Sequence, residues 1–431
     1  MPRRNASWRQ CDQGLPRLDR GGGPHQSSAP AVPRARARAY WGSKRREREK
    51  LSAVGGRSGR SRYVVDSPRR CGPRRGDSYN QRCDEIGRIS IVIEEPTRIA
   101  LIGAGRVAAT HVAMIQRTPG VEIVAVADPR IDVSRRLADN LQVPAYEGLQ
   151  EVLATGAVDA VDIIVPHNLH YSLAFEALQA GVHVFMDKPL ATNVADAAKL
   201  CEAADNKGVV LAICHNLLFH PASMRAGTLV HDGVLGRPTR ASAVSSGWLD
   251  LPAGDFRLDE SATGGGAWVD GSPHLVYLLE SLLGPISAIS AFAARGETRI
   301  GGEDTAVGQA QFENGGVATV AVGYSDASAG EVVWPDGWEL STTLHGTGGR
   351  IILELLPSAR VTWEQTGHLP IQEDYSHVPF ETGFDGAFAD FVSAVRTGSS
   401  LQVPPRESLR NLELVQAAMY RDGGVRDTPI G

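Results

Sequence analysis

The chain has 431 residues, more than one ordinary hydrophobic core occupies, which predicts two domains. With 42% hydrophobic and 22% charged residues it has the composition of a globular protein, and its apolar runs are too short to span a bilayer, so we expect no membrane partner. Its five cysteines lack metal-ligand spacing and are odd in number, so neither a disulfide framework nor a zinc ribbon is indicated, which favours the reducing cytoplasm.

The net charge of −5 conceals an uneven distribution. Residues 1–90 hold 22 of the 44 Lys and Arg residues but only 8 of the 49 Asp and Glu residues. This basic part could attract polyanions, yet it contains few aromatic residues that could stack on bases. The acidic remainder has no electrostatic reason to bind nucleic acid, so nucleic acid is not a predicted partner.

Residues 1–93 are rich in Gly, Pro, Ser and Arg and show no apolar periodicity, which predicts a disordered extension. Arg3 and Arg4 are not followed by an apolar segment, so we expect no twin-arginine export. A second hypothesis is that the extension is not made in the cell. No methionine lies between Met1 and Met114, and a non-ATG start around Val64 to Val92 would remove most of it.

From Thr97 onward, apolar strand patterns alternate with helical patterns. The predicted strands are 98–102, 122–127, 160–165, 183–186 and 209–213. The helical patterns between them are 107–117, 133–141, 171–180 and 194–206. This alternation predicts an α/β Rossmann domain, a doubly wound parallel sheet, over residues 94–216.

After Cys214 the pattern changes to that of an α+β domain over residues 217–431. Period-2 runs at 306–312 and 316–322, separated by the turn dipeptide Asn314-Gly315, predict a largely antiparallel open sheet. A further strand is predicted at 240–246, and helices at 221–231, 268–283, 383–396 and 405–420. We expect this second domain to bind substrate and to mediate oligomerisation.

A glycine motif follows the first strand of the parallel sheet. The run from Gly103 to Ala108 fits G-x-G-x-x-G/A, in which Gly103 makes the turn and Gly105 lets the backbone approach a pyrophosphate. Asp128 ends the second strand, where its carboxylate could accept hydrogen bonds from an adenosine ribose. Asp128 favours NAD because it would repel the 2′-phosphate of NADP, although Arg130 nearby could weaken this preference, so NADP is the alternative cofactor. A purely structural alternative is a glycine turn that binds no ligand.

Candidate catalytic groups stand at two other places. Lys188 follows a sheet strand at the end where ligands bind, and Asp270 and His274 are four residues apart after a glycine-rich loop. Hydride removal from an alcohol needs a group that takes the hydroxyl proton and another that holds the oxygen. The alternatives are a surface lysine and an Asp-His pair that only makes a local hydrogen bond, and Pro273 could distort the helix start.

Several histidines and tryptophans are further candidates for ligand contacts. A zinc site could be drawn from His167, His170, Asp270 and His274, but their spacing does not support one, so no metal is predicted. Trp248, before the glycine-rich loop, is a candidate substrate contact. Trp334 and Trp338 could stack on a sugar or belong to the core or an interface.

Taken together, the motifs resemble those of the glucose-fructose oxidoreductase/inositol dehydrogenase (Gfo/Idh/MocA) family. The likeness covers residues 97–420 and keeps the family's order of motifs. The matching residues are Gly103, Gly105 and His111, the turn Pro166-His167-Asn168-Leu169-His170, Asp187-Lys188-Pro189, Gly264-Gly265-Gly266, Asp270 and His274.

The resemblance implies a Rossmann domain, a C-terminal open sheet through which subunits form dimers or tetramers, and NAD(P)-dependent oxidation or reduction of sugars and polyols. By resemblance, Lys188 binds the reacting hydroxyl and the cofactor region, His274 acts as acid/base, and Asp270 orients or charges His274. Pro166, His167 and Asn168 would lie along the nicotinamide. The further cofactor-binding residues expected are Arg106, Val107, His170 and Asp187.

Two positions depart from the family pattern. Asp187 stands where the family commonly has Glu, which keeps the charge but changes the reach to the ribose. Leu218 stands where many members have Arg, which disfavours an anionic substrate.

The resulting hypothesis is hydride transfer between NAD(P) and a secondary hydroxyl or ketone of a sugar, inositol or glycoside. The first alternative is an enzyme that retains NAD and cleaves glycosides by transient oxidation. The second is a non-catalytic NAD(P)-binding sensor, which is disfavoured because Lys188, Asp270 and His274 are all present.

Overall fold

The computed structural model describes residues 63–65, 91–93, 95–326 and 337–419. Within the stretch predicted to be disordered, the backbones of Tyr63–Val65 (β1) and Ile91–Ile93 (β2) pair as a two-stranded antiparallel sheet. The other residues to which the predictions of disorder and of a later start apply lie outside the described residues.

The first large sheet has six strands, all parallel. They are Thr97–Ile102 (β3), Val121–Ala127 (β4), Ala145–Tyr146 (β5), Ala160–Ile163 (β6), His183–Met186 (β7) and Leu211–Ile213 (β8). Their spatial order is β5-β4-β3-β6-β7-β8, which confirms the doubly wound sheet. Because the order reverses between β3 and β6, the carboxyl ends of these strands open the crevice where ligands of such sheets bind.

Helices cover both faces of this sheet, which is why the last four residues of β3, Ile99 to Ile102, are all apolar. The helices are Ala108–Arg117 (α1), Ile131–Leu141 (α2), Leu149–Ala154 (α3), His170–Gln179 (α4) and Val194–Lys207 (α5). Ala100 and Ile102 belong to the apolar cluster on one face, whereas Ile99 and Leu101 belong to the cluster on the other. A strand buried on both faces gains no benefit from polar alternation.

The second sheet has eight strands and is mostly antiparallel, as predicted. The strands are Pro238–Ser246 (β9), Ile286–Ala294 (β10), Thr305–Phe312 (β11), Val317–Gly323 (β12), Glu339–Gly346 (β13), Gly349–Leu356 (β14), Arg360–Gln365 (β15) and Ile371–Asp374 (β16). They lie in the order β10-β11-β12-β9-β13-β14-β15-β16, and β9 and β12 form the one parallel pair. Burial alternates strictly along β11, so one face of the sheet is covered and the other is open.

The remaining helices are Asn216–Phe219 (α6), Pro221–His231 (α7), Glu260–Thr263 (α8), Ala267–Leu283 (α9), Thr382–Thr397 (α10) and Pro405–Met419 (α11). Helix α9 lies on the covered face of the second sheet, in contact with β9, β11 and β12, and buries Trp268 and Leu275 there. None of the helices in the described ranges is long and apolar enough to cross a membrane.

Helix α10 belongs by sequence to the second half of the chain but packs on the first sheet. Phe388 and Phe391 stand with their ring centroids 5.2 and 5.4 Å from that of Phe185 on β7. Arg117 of α1 donates hydrogen bonds to Asp385 of α10 at the same contact. A helix predicted within the 217–431 domain therefore completes the core of the parallel sheet.

Candidate active site

The glycine turn has the shape that a dinucleotide needs. Gly103 adopts a φ of 106°, and a Cβ there would stand 2.4 Å from the Ile164 carbonyl oxygen, so glycine is required by the fold itself. Around Gly105, by contrast, a Cβ would meet no protein atom within 4 Å. The backbone at Gly105 thus faces open space at the start of α1, which fits a pyrophosphate.

Asp128 is nearly buried and holds the glycine turn. Its Oδ2 accepts a hydrogen bond from the Ala104 amide (3.0 Å), and its Oδ1 accepts from the amide and Nε of Arg130 (2.9 and 3.2 Å). Burial raises the pKa of Asp128, but the hydrogen bonds from Arg130 and Ala104 outweigh it and lower the pKa below its usual value. The carboxylate is therefore charged, and Arg130 partly neutralises it.

Lys188 extends from the end of β7 into the space between the two sheets. Its Nζ donates to the carboxylate Oδ1 of Asp270 (2.6 Å) and to the main-chain oxygen of the same residue (2.7 Å). The residue is 8% exposed, so the alternative interpretation of a surface lysine is wrong.

The carboxylate of Asp270 is the centre of a buried polar cluster. Besides Lys188, it accepts hydrogen bonds at Oδ2 from Arg257 Nε (3.1 Å) and from the Tyr324 hydroxyl (2.9 Å). Burial raises the pKa of Asp270, but the charges of Lys188 and Arg257 hold it well below its usual range. Asp270 is therefore an anion between two cations.

His274 lies one turn after Asp270, on the same side of α9, because the helix continues through Pro273. In the described part of the chain no hydrogen bond joins the two side chains, so Asp270 does not orient His274 directly as expected; it binds Lys188, Arg257 and Tyr324 instead. Burial, and then the charge of Lys188, lower the pKa of His274 to about 4. The imidazole is neutral at pH 7 and can accept a proton.

The start of α9, which carries Asp270, is fixed by a residue distant in sequence. Glu303 accepts hydrogen bonds from the amides of Gly266 (3.2 Å) and Trp268 (3.0 Å) through its carboxylate, and from the Ala267 amide (2.7 Å) through its main-chain oxygen. A carboxylate at a helix N-terminus satisfies amides that have no partner within the helix. No local signal in the sequence identifies Glu303 or Tyr324 as members of this site.

The turn from Pro166 to His170 follows strand β6 at the carboxyl edge of the first sheet. His167 is buried, with Nδ1 3.1 Å from the Thr263 oxygen and Nε2 3.9 Å from Asp270, and burial lowers its pKa to about 3. Pro166 is half-buried and Asn168 is exposed. Both ring nitrogens of His170 lie within hydrogen-bond distance of main-chain oxygens, at Pro189 (2.7 Å) and Val165 (3.0 Å). His170 thus braces the turn after Lys188, and neither ring nitrogen is left for the cofactor contact expected of it.

The cluster opens into a cavity of about 450 Å³, a size typical of small-molecule sites. Arg106 and Val107 from the glycine turn line it together with Asp187, whose Oδ1 accepts a hydrogen bond from the Lys188 amide (2.8 Å). Trp248 does not line this cavity and is 40% exposed, which removes the geometric reason to expect it against substrate. Trp338 lines it, and Trp334 lies outside the described residues.

Within the described ranges, no group of three or more His, Cys, Asp or Glu side chains is arranged to hold a metal ion. The polar groups of the cavity include the cation Lys188, the anion Asp270 and the neutral imidazole of His274. Such a set can bind a hydroxyl oxygen and move its proton.

Family models match both halves of the chain. The model described as "Oxidoreductase family, NAD-binding Rossmann fold" matches residues 97–215, and the "GFO/IDH/MocA C-terminal domain" matches residues 224–352. The chain belongs to the Gfo/Idh/MocA oxidoreductase family. It is accordingly an NAD(P)-dependent oxidoreductase that acts on CH-OH groups.

Similar proteins come from several bacteria. The chain is 27% identical to 1,5-anhydro-D-fructose reductase of Ensifer adhaerens, over 69% of this chain and 88% of that protein. It is 28% identical to D-glucoside 3-dehydrogenase of Escherichia coli K12, over 53% and 70%. The structure of GenD2 from gentamicin A biosynthesis, in complex with NAD, superposes with a TM-score of 0.66 at 24% identity, covering 75% of this chain and 93% of that one.

Proposed function

We propose that this member of the family transfers hydride between NAD(P) and a secondary hydroxyl or ketone of a sugar, inositol or glycoside. The observation that carries the proposal is the convergence of Lys188, Asp270 and His274 in one cavity beside the glycine turn. The names of the relatives, a sugar-derived reductase and a glucoside dehydrogenase, support the substrate class.

We assign each of the three side chains a role that follows from its protonation state. The neutral ring of His274 accepts the hydroxyl proton during oxidation and returns it during reduction. The ammonium of Lys188 donates a hydrogen bond to the reacting oxygen. Asp270 positions that ammonium from one side, while Arg257 and Tyr324 keep Asp270 in place. When bound, the nicotinamide supplies the hydride acceptor or donor.

The cofactor is proposed to lie along the carboxyl edge of the first sheet. The residues proposed to hold it are Gly103, Gly105, Arg106, Val107, Asp128, Arg130, Pro166, His167, Asn168, Asp187 and Lys188. Asp128 favours NAD because its charged carboxylate repels a 2′-phosphate, while the paired Arg130 weakens that repulsion. Nothing in the described residues favours glycoside cleavage with retained NAD or a non-catalytic sensor.

Two further properties are proposed for the whole protein. The open face of the second sheet, where Phe292 is 77% exposed, supports association into a homo-oligomer. Cys201 and Cys214, the two cysteines in the described ranges, are both buried free thiols, which supports a reducing compartment such as the cytoplasm.

The test is a screen of NAD and NADP reduction against polyols, sugars and glycosides, followed by Lys188→Ala, Asp270→Asn and His274→Ala on the best substrate. We expect each variant to lower kcat by about 10²-fold or more, while NADH still binds. Matched controls on exposed residues are Lys199→Ala, Asp132→Asn and His368→Ala. Turnover within about twofold of the unmodified protein for all three site variants would show that these roles are wrongly assigned.

A further inference from the structure

Two unlike groups of residues line the cavity. Lys188, Arg257, Asp270, His274 and Tyr324 form the polar cluster. The other group is mostly apolar: Leu217, Leu249, Trp338, Leu340, Phe380 and Phe384 line the cavity beside the polar residues Asn216, Ser245 and Glu381.

Three of these apolar residues, Leu249, Trp338 and Leu340, come from the second sheet or the loop beside it, and we call them the apolar wall. The indole Nε1 of Trp338 already donates to the Ser245 hydroxyl (3.1 Å), so this N–H is engaged within the protein. The Trp338 ring lies 5.5 Å from the ring of Tyr324, whose hydroxyl binds Asp270. The apolar wall therefore begins next to the reactive cluster.

The apolar wall is separate from the region that receives the cofactor. The residues that line the cavity from the glycine turn and α1 are Arg106, Val107 and Thr110. The apolar wall belongs to the other domain, whose sheet supplies none of the residues proposed to hold the dinucleotide. It therefore faces the part of the cavity left for substrate.

A substrate with hydroxyls on every ring carbon is poorly matched to this shape. Hydroxyls turned toward the side chains of Leu249, Trp338 and Leu340 would lose their hydrogen bonds to water, and Ser245, the polar side chain beside them, already accepts a hydrogen bond from Trp338. A sugar ring that carries its hydroxyls toward the polar cluster and an apolar group toward the apolar wall matches both groups of residues.

We propose that the substrate is a glycoside with an apolar aglycone, whose sugar ring is oxidised at the polar cluster while the aglycone packs on the apolar wall. This inference rests on the proposed function and narrows its substrate class. The glycosidic bond stays intact. Oxidised NAD(P) would accept a hydride from the ring carbon that carries the reacting hydroxyl, the hydroxyl proton would pass to His274, and the carbon would become a ketone.

The test measures NAD and NADP reduction by the full-length chain with phenyl glucosides, methyl glucosides and myo-inositol. We expect kcat/KM for a phenyl glucoside to exceed that for the methyl glucoside and for inositol by about tenfold or more. Leu249→Ser, which places a hydroxyl in the apolar wall, should reduce the phenyl-to-methyl ratio several-fold. The matched control Leu369→Ser, at a side chain that is 87% exposed, should leave the ratio unchanged.

The outcomes separate this inference from the proposed function. Equal or faster turnover of methyl glucoside or inositol overturns the apolar aglycone and leaves hydride transfer to a polyol standing. An unchanged phenyl-to-methyl ratio in Leu249→Ser also overturns it, because the apolar wall would then not contact the aglycone. Absence of NAD or NADP reduction with every compound overturns the proposed function, and this inference with it.

Discussion

The buried carboxylate of Asp270 accepts hydrogen bonds from two cations, Lys188 and Arg257, and from the phenol of Tyr324. Lys188 and Arg257 hold Asp270 in its charged form, and Asp270 in turn anchors the Lys188 ammonium 2.6 Å away. Burial, and then the positive charge of Lys188, lower the pKa of His274 and keep its imidazole neutral, although the charge of Asp270 acts in the opposite direction. At the scale of residues, the cluster thus combines an anchored cation with a neutral base.

The lowered pKa of His274 predicts an unusual pH dependence. A general base acts in its neutral form, so the activity is present above the pKa and is lost as the pH falls through it. With a pKa of about 4, kcat/KM for alcohol oxidation should stay level through the region near pH 6.5 where an ordinary histidine titrates, and should fall only near pH 4. Initial rates after brief exposure to each pH, with recovery checked at pH 7, measure this.

An acidic limb of the profile near pH 6.5 in the unmodified protein would contradict the assignment of His274 as the base in this environment. His368→Ala is the control, because His368 is exposed and distant in sequence from the cluster. Its profile should match that of the unmodified protein.

Gly103 and Gly105 lie in the same turn, but only Gly103 is required to be glycine by the fold. Gly103 is dictated by the fold, since its positive φ and its approach to the Ile164 carbonyl leave no room for a Cβ. Gly105 is not dictated by the fold, since a Cβ there meets no protein atom. At the scale of elements, the link from β3 to α1 combines a structural glycine with one reserved for a ligand.

Alanine substitutions distinguish the requirement of the fold at Gly103 from the ligand contact proposed at Gly105. Gly103→Ala should lower the free energy of unfolding by about 1–3 kcal/mol or more, through backbone strain and the clash with Ile164. Gly105→Ala should leave the thermal unfolding of the free protein nearly unchanged and raise the Kd for NADH by about tenfold or more, equivalent to about 1.4 kcal/mol. Thermal unfolding and NADH fluorescence titration measure the two effects. A Gly105→Ala protein that binds NADH normally would contradict the proposed pyrophosphate contact.

Most elements follow from local sequence patterns, and the exceptions have physical causes. The parallel strands and the period-2 strands were predictable because each buried face repeats in the sequence. Strands β5, β10 and β13 to β16 were not among the strands predicted one by one, and in β5 the two residues Ala145 and Tyr146 are too few to show any period. The association of α10 with the first sheet was missed because an apolar helix face does not say which sheet it will cover.

At the scale of the whole molecule, the open face of the second sheet carries exposed apolar side chains among polar ones. Phe292 on β10 is paired directly with Val307 on β11, so their side chains share that face, and they are 77% and 51% exposed. Exposed apolar patches on a sheet face commonly mark interfaces. The homo-oligomer proposed above would bury this pair.

Phe292→Glu should therefore shift the protein toward monomer, because burying an unpaired carboxylate in the interface is costly. Sedimentation velocity measures the change. Leu369→Glu is the matched control, since Leu369 is equally apolar and exposed but lies outside β10 and β11. A Phe292→Glu protein that sediments like the control excludes this face as the interface.

The sequence by itself determined the two-domain architecture, the glycine turn and the candidates Lys188, Asp270 and His274, because these depend on short-range periodicity and on motifs with fixed spacing. Only the tertiary structure decided which groups surround them. Tyr324, Arg257 and Glu303 reach Asp270 or the start of its helix from separate segments, and His170 turns its ring to the main chain instead of the crevice. Contacts between distant segments depend on how two sheets pack together, and no local pattern encodes that packing.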